Sequence, residues 1–173
     1  MNSLNISVFN FIHYLAGRWW LLDWLGIFLA KYLPYLLIVA FLYFLLKENG
    51  RRRIYFFSLA SLSVILSRGI IVEAIKFFYS CERPFASLGF SPLFEKASLG
   101  SFPSGHAAVF FALSMAVFYL NRKAGKWFFI LSFLVVVARI FAGIHWPFDV
   151  LIGAVIGLLS ALFVRKMLPK TEK

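Results

Sequence analysis

Five stretches of this chain, at about 27–46, 54–78, 104–120, 127–144 and 148–164, are apolar over lengths that match a lipid bilayer. A helical span needs about 20 such residues, fewer where a helix end is recessed. A backbone surrounded by hydrocarbon must satisfy its own hydrogen bonds, which a helix does. With 62% hydrophobic and only 14% charged residues, the chain is too apolar for a water-soluble domain, where about half the residues are apolar. The sequence therefore predicts one all-α, membrane-embedded domain over residues 1–173. Its architecture is a bundle of five transmembrane helices, or six if the N-terminal segment adds a short span.

The opening segment, "MNSLNISVFNFIHYLAGRWWLLDW", has no Lys or Arg before Arg18 and so lacks the basic front of a signal peptide. Its apolar residues are interrupted by Asn5, Asn10, His13, Arg18 and Asp23, and it carries Trp19, Trp20 and Trp24. Such rings settle at headgroup level, so residues 1–26 are expected to form an amphipathic interfacial segment with His13 as an interfacial side chain.

The net charge of +11 would suit nucleic acid, but its placement argues for topology instead. Lys47 and Arg51–Arg53 follow the first span; Arg122, Lys123 and Lys126 follow the third; Arg165, Lys166, Lys170 and Lys173 follow the fifth. Eleven of the eighteen basic residues thus fall on one face, which the positive-inside rule makes cytoplasmic. The C-terminus is then cytoplasmic. No nucleic-acid partner is expected. The single Cys81 cannot form an intramolecular disulfide.

The unusual polar residues collect at the opposite face. Lys76 and Arg83 bracket the exit of the second span, Ser104 and His106 open the third, Arg139 lies near the end of the fourth, and His145 and Asp149 flank the start of the fifth. Ionisable groups at membrane depth are costly and point to function. Residues 106–120 make only about 22 Å of helix at 1.5 Å per residue, so the outer ends of this span and of the similarly short 148–164 are expected to lie below the surface, lining a recess.

Three cations in such a recess call for an anion. Arg offers a planar fork to phosphate and Lys a point charge. Ser104 and Gly105 add a hydroxyl and backbone N–H groups at a helix start, where the dipole favours anions. His145 and Asp149, four apart across Pro147, place a carboxylate where it can fix one imidazole nitrogen and leave the other as a nucleophile. His106, from another helix, is placed as general acid for the departing oxygen. No acids and histidines stand at metal-ligand spacing, so phosphoryl transfer through a phosphohistidine, without metal or cofactor, is expected.

These residues resemble a known family. "KFFYSCERP" (76–84) fits K-x6-R-P, "PSGH" (103–106) fits a second motif, and "RIFAGIHWPFD" (139–149) fits R-x5-H-x3-D. The trio is similar to the signatures of the type-2 phosphatidic acid phosphatase superfamily of membrane lipid phosphatases. The resemblance implies that Lys76, Arg83, Ser104, Gly105 and Arg139 hold phosphate. It implies His145 as nucleophile, Asp149 as its orienting partner and His106 as acid. Two positions depart from the pattern: Ala138 replaces a frequent Ser, and Cys81-Glu82 precede Arg83 where an R-P-R-P run would have another Arg.

Small bacterial members are similar to lipid A 1-phosphatases, undecaprenyl diphosphate phosphatases and phosphatidylglycerophosphate phosphatases. The outer segment 85–102 is short and little charged, which leaves room for a bulky headgroup. Lipid A 1-phosphate at the periplasmic face of a bacterial inner membrane is the first expectation, with undecaprenyl diphosphate close behind.

Other residues have plainer readings. Arg68 and Glu73 are read first as a structural pair, with a supporting place at the site, Glu73 tuning Lys76, as the sharper alternative. Gly153 and Gly157 form a small-xxx-small surface suited to close packing within the bundle. A serine-hydrolase role for Ser104 fails because its neighbours are cations. A non-enzymatic anionic-lipid-binding subunit would explain the cations but not the His145–Asp149 pair and His106.

Overall fold

The computed structural model describes residues 3–94 and 100–169, and every regular element in them is helical. A short α1 (Ser3–His13) precedes two long helices, α2 (Trp20–Leu46) and α3 (Gly50–Phe78). A single turn-and-a-half, α4 (Pro84–Leu88), interrupts the loop that leads to α5 (Gly105–Leu120). Then come α6 (Arg122–Phe141) and α7 (Pro147–Met167). Among these, α2, α3, α6 and α7 are long and apolar enough to cross a membrane. With 16 residues, α5 reaches only about 24 Å. Both α2 and α3 widen into π-helical stretches, at Phe28–Tyr32 and Ile65–Val72.

The basic ends of the helices meet at one end of the bundle. The Arg53 guanidinium donates to the carbonyls of Leu46 and Glu48 at 2.9 and 3.0 Å, closing the end of α2. Arg52 donates to the Leu120 carbonyl at 3.3 Å, and Arg165 lies 3.8 Å over the Tyr119 ring. Lys170 and Lys173 lie outside the described residues, as do residues 95–99 of the outer segment.

Several boundaries differ from the sequence reading. Residues 20–26 are the outer end of α2 rather than part of an interfacial segment. Asp23, in the first turn, accepts the Gly17 N–H at 2.9 Å, and a carboxylate there complements the helix dipole. α3 begins at Gly50 because Arg51–Arg53 join the helix. α6 stops at Phe141, since Gly143 adopts φ +80° and turns the chain. α7 runs on to Met167, so its 21 residues, about 31 Å, make it long enough to span, whereas α5 is shorter than that.

At 11 residues, α1 is about 16 Å long, too short to cross, and it packs against the outer ends of α6 and α7. Phe9 is fully buried there, with its ring centroid 5.0 Å from those of both His13 and Trp146. Asn5 accepts the Phe148 N–H at 3.1 Å. His13 does not stand free at an interface: its Nδ1 is 2.7 Å from the Phe141 carbonyl and its ring packs on Phe90.

α5 runs through the middle, between α6 and α7. A Cβ on Gly153 would collide with the Ser104 carbonyl oxygen, and one on Gly157 with that of Ala108. The two glycines therefore let the α7 backbone press against α5, which fixes the start of α5 relative to the start of α7.

Candidate active site

The start of α5 is set by its own residues. Ser104 is extended and caps the helix, its Oγ accepting the Ala107 N–H at 3.4 Å. Its own N–H donates to the Asp149 carbonyl at 2.9 Å, tying α5 to the first turn of α7. Gly105 follows because Arg68 crosses directly over it; a Cβ there would stand 2.7 Å from Arg68 Cδ.

The α6–α7 turn presents the second group of residues. Trp146 is buried and its Nε1 donates to the Glu82 carbonyl at 2.9 Å, holding the turn against the loop after α3. Pro147 opens α7, a position where its missing N–H costs nothing. One Asp149 oxygen, Oδ2, accepts the Trp146 N–H at 2.8 Å and the Ser101 hydroxyl, and lies 3.5 Å from His145 Nδ1. Ser101 Oγ is 3.4 Å from the same nitrogen. Nδ1 thus faces a carboxylate and a hydroxyl, and among the described residues Nε2 has no hydrogen-bond partner. The His145 and Asp149 side chains are both 3% exposed.

Cations surround this pair. Arg83, buried just ahead of Pro84, donates to the Ile144 carbonyl at 3.2 Å. Arg139, buried in the last turn of α6, donates to the Ala30 carbonyl at 3.4 Å. Lys76 is half-buried near the end of α3. Burial first, and then the charges of Arg139, Arg83 and Lys76, hold the His145 imidazole well below its usual pKa. The ring is therefore neutral near pH 7, as a nucleophile requires. His106, the second residue of α5, stacks on Phe110 with centroids 6.3 Å apart and lies within electrostatic reach of Arg139, His145, Arg68 and Arg83.

A cavity of about 260 Å³ adjoins the cluster. Its polar end is formed by Arg68, His106, Arg139 and Lys31, and its apolar wall by Pro34, Tyr35, Ile38, Val109 and Phe110. Tyr35 and Ile38 are 64% and 41% exposed on the bundle's outside, so this wall leads out towards lipid. His145 itself does not line the cavity; His106 and Arg139 belong to both the wall and the charged cluster, and join the two.

His145, His106, Asp149, Lys76, Arg83, Ser104, Gly105 and Arg139 thus come together at one end of the bundle. Arg68 and Glu73 form an ion pair, yet Arg68 also faces the cavity, while Glu73 is exposed beside it. Two residues escaped the sequence reading. Ser101 carries no motif that separates it from Ser80 or Ser98, and only the fold brings it to Asp149. Lys31 is a single cation inside an apolar run, and its position within a span was the signal that should have marked it.

The family model described as "PAP2 superfamily" matches residues 57–173. A protein of Bacillus licheniformis named bacitracin transport permease protein BcrC is 34% identical over 98% of this chain and 83% of its own. The undecaprenyl-diphosphatase BcrC of Bacillus subtilis is 28% identical over 94% of this chain and 83% of its own. The crystal structure of Aquifex aeolicus LpxE superposes with a TM-score of 0.76 at 27% identity, covering 95% of this chain and 96% of that one.

Proposed function

Because this chain belongs to the PAP2 superfamily and is accordingly a membrane phosphatase of lipid phosphate esters, we propose that it removes the terminal phosphate of undecaprenyl diphosphate. The observation that carries the mechanism is the buried His145, with Nδ1 turned to Asp149 and Ser101 and with Arg139, Arg83 and Lys76 near enough to hold its pKa down. In this reading Lys76, Arg83, Ser104, Gly105 and Arg139 hold the phosphate that is attacked. His145 Nε2 forms a bond to phosphorus as the bridging P–O bond breaks. Asp149 holds the ring and balances its charge, and His106 can protonate the departing oxygen. Water then attacks the phosphohistidine and releases orthophosphate. Such an arrangement works by positioning and charge stabilisation, and it needs no metal.

The polyprenyl substrate is supported by the B. subtilis relative, which aligns over nearly the whole chain. The wall of Pro34, Tyr35 and Ile38 offers an apolar exit for a long chain. Lipid A 1-phosphate is the second reading. It is favoured by the outer segment, which is short and little charged and whose described part is tied to the α6–α7 loop by the Phe85 and Leu93 N–H groups on Gly143 and Ala142.

The same reading makes α5 a fifth crossing, recessed at its outer end, with α1 lying at the outer interface of a single phosphatase domain. The basic end then faces the cytoplasm of a bacterial inner membrane, with the C-terminus, and the site faces the periplasm.

The test is phosphate release by purified protein in detergent, with and without EDTA, beside His145→Ala. Undecaprenyl diphosphate, lipid A, phosphatidylglycerophosphate and phosphatidic acid are the substrates. Fastest release from undecaprenyl diphosphate, insensitive to EDTA and lost in the variant, is expected. A faster rate on lipid A would select the second reading, and loss with EDTA would overturn the metal-free mechanism.

A further inference from the structure

We infer that Lys31 and Arg68 form a second cationic subsite, which holds the non-attacked phosphate of a diphosphate lipid and sets the preference for diphosphates over monophosphates. This rests on the phosphohistidine reading above and extends it to the leaving group. Both residues line the cavity that also contains His106, Arg139 and an apolar wall. Each is carried in a π-helical stretch, Lys31 in Phe28–Tyr32 and Arg68 in Ile65–Val72. Such stretches cost backbone regularity and are frequent at functional sites.

Lys31 stands 11 residues after Trp20, about 16 Å along α2, within a span where an ammonium group is expensive. Among the described residues it meets no carboxylate; it lies over the Tyr32 ring, whose centroid is 5.7 Å from Nζ. Arg68 is held by Glu73 and by its passage over Gly105, so its guanidinium is positioned before any substrate arrives. The structural pair expected from the sequence exists, but it aims the cation into the cavity.

The chemistry assigns the subsite to the leaving group. When His145 Nε2 bonds to the terminal phosphorus of a prenyl diphosphate, the electron pair of the broken bridging bond stays on the oxygen of the prenyl monophosphate. That oxygen belongs to a phosphate, so its new charge is spread over several oxygens and is stabilised by nearby cations. A monophosphate substrate instead expels an alkoxide, which needs the proton that His106 can give. Lys31 and Arg68 are useful in the first case and idle in the second. The apolar wall beside them then takes the first prenyl units out towards lipid.

Lys31→Ala tests this, because Lys31 is exposed and makes no ion pair among the described residues. The readout is the ratio of kcat/KM for a prenyl diphosphate to that for the monophosphate of the same prenyl chain, in detergent, with full-length protein. The ratio should fall about tenfold, equivalent to about 1.4 kcal/mol, and Lys31→Arg should restore most of it. An unchanged ratio overturns the inference and leaves the diphosphatase reading intact. Should the wild-type protein release nothing from prenyl diphosphates, that reading falls, and inhibition of monophosphate hydrolysis decides the subsite. Methylenediphosphonate should then inhibit more strongly than methylphosphonate in the wild type but not in Lys31→Ala. Equal inhibition in the wild type, or a preference that survives in the variant, overturns the subsite as well.

Discussion

At its inner end α5 shares an apolar cluster with the neighbouring helices, through Leu113, Val117 and Leu120 beside Leu37, Phe41, Leu59 and Phe128. At its outer end the same helix meets the Asp149 backbone carbonyl and the Arg68 side chain, and its own His106 lies within electrostatic reach of Arg139, Arg83 and His145. The inner end is held by burial, which has no direction and tolerates exchange among side chains of similar volume. The outer end is held by directed bonds in which one atom, Asp149 Oδ2, serves the Trp146 N–H, the Ser101 hydroxyl and the His145 ring together. A change there should therefore remove activity well beyond its effect on folding, and a change at the inner end should do the reverse.

The largest expected effect is that of Asp149→Asn. The amide keeps the size of the carboxylate but lacks the charge that stabilises a positive His145 during transfer, and it can turn an N–H towards Nδ1. A loss on the order of 10⁴-fold in kcat is expected, by analogy with a carboxylate-to-amide change beside another catalytic histidine. Phosphate release with a retained melting temperature would check it. A loss under about tenfold would mean that the outer network is structural only.

How much of this could be read from the sequence follows the same division. The charged residues of the outer end were legible because an ionisable group in an apolar run has few reasons to be there, and Pro103, Gly105 and Pro147 mark helix starts beside them. Ser101 was not legible: its role depends on a fold contact with a residue 48 positions away. Lys31 was passed over because one cation does not interrupt an apolar run. The inner helices were legible as spans, but their limits were not. Residues 20–26 read as interfacial by composition, yet the helix starts at Trp20, with Asp23 and Gly17 settling the turn before it. The π-helical stretches of α2 and α3 left no pattern in the sequence, since apolar residues surround the helix on every side.

The join between the two ends is the next place to press. Gly153 lies where α7 touches the Ser104 carbonyl and Ala107, with an added Cβ only 2.9 Å from the Ala107 methyl. Gly153→Val must push the helices apart. Overpacking of this kind costs about 1–3 kcal/mol, so the melting temperature in detergent should fall by several degrees. Activity should fall with it, because Ser104 moves. An unchanged melting temperature would show that α5 and α7 do not approach so closely.

The pH profile sharpens the electrostatic side of the contrast. His145 is held low by burial and then by Arg139, Arg83 and Lys76, so it stays unprotonated, and competent, well below the ordinary value of about 6.5. The acid limb of kcat/KM, which reports groups of the free enzyme, should lie well under that pH. Arg139→Gln removes the strongest neighbouring charge. The His145 pKa should then rise and the limb should move up in pH, whatever the loss in rate. A limb that stays in place or moves down would assign it to another group.

The smallest effect is expected from the polar pair within the inner half. Ser114 Oγ donates to the Phe110 carbonyl at 2.7 Å and lies 2.9 Å from Ser132 Oγ, which is itself 3.3 Å from the same carbonyl. In Ser132→Ala the Ser114 hydroxyl keeps its acceptor, so no buried donor is stranded. Side-chain hydrogen bonds between membrane helices average about 0.6 kcal/mol, and the loss of stability should be of that order, with kcat unaffected. Ser132→Ala thus applies to the inner half the test that Asp149→Asn applies to the outer. Both remove one member of a buried hydrogen-bonded group, but only at the outer end does the bonded geometry position a reacting atom. A tenfold loss of kcat in Ser132→Ala would mean that the inner half transmits strain along α5 to Ser104 and His106, and the division between the two ends would fail.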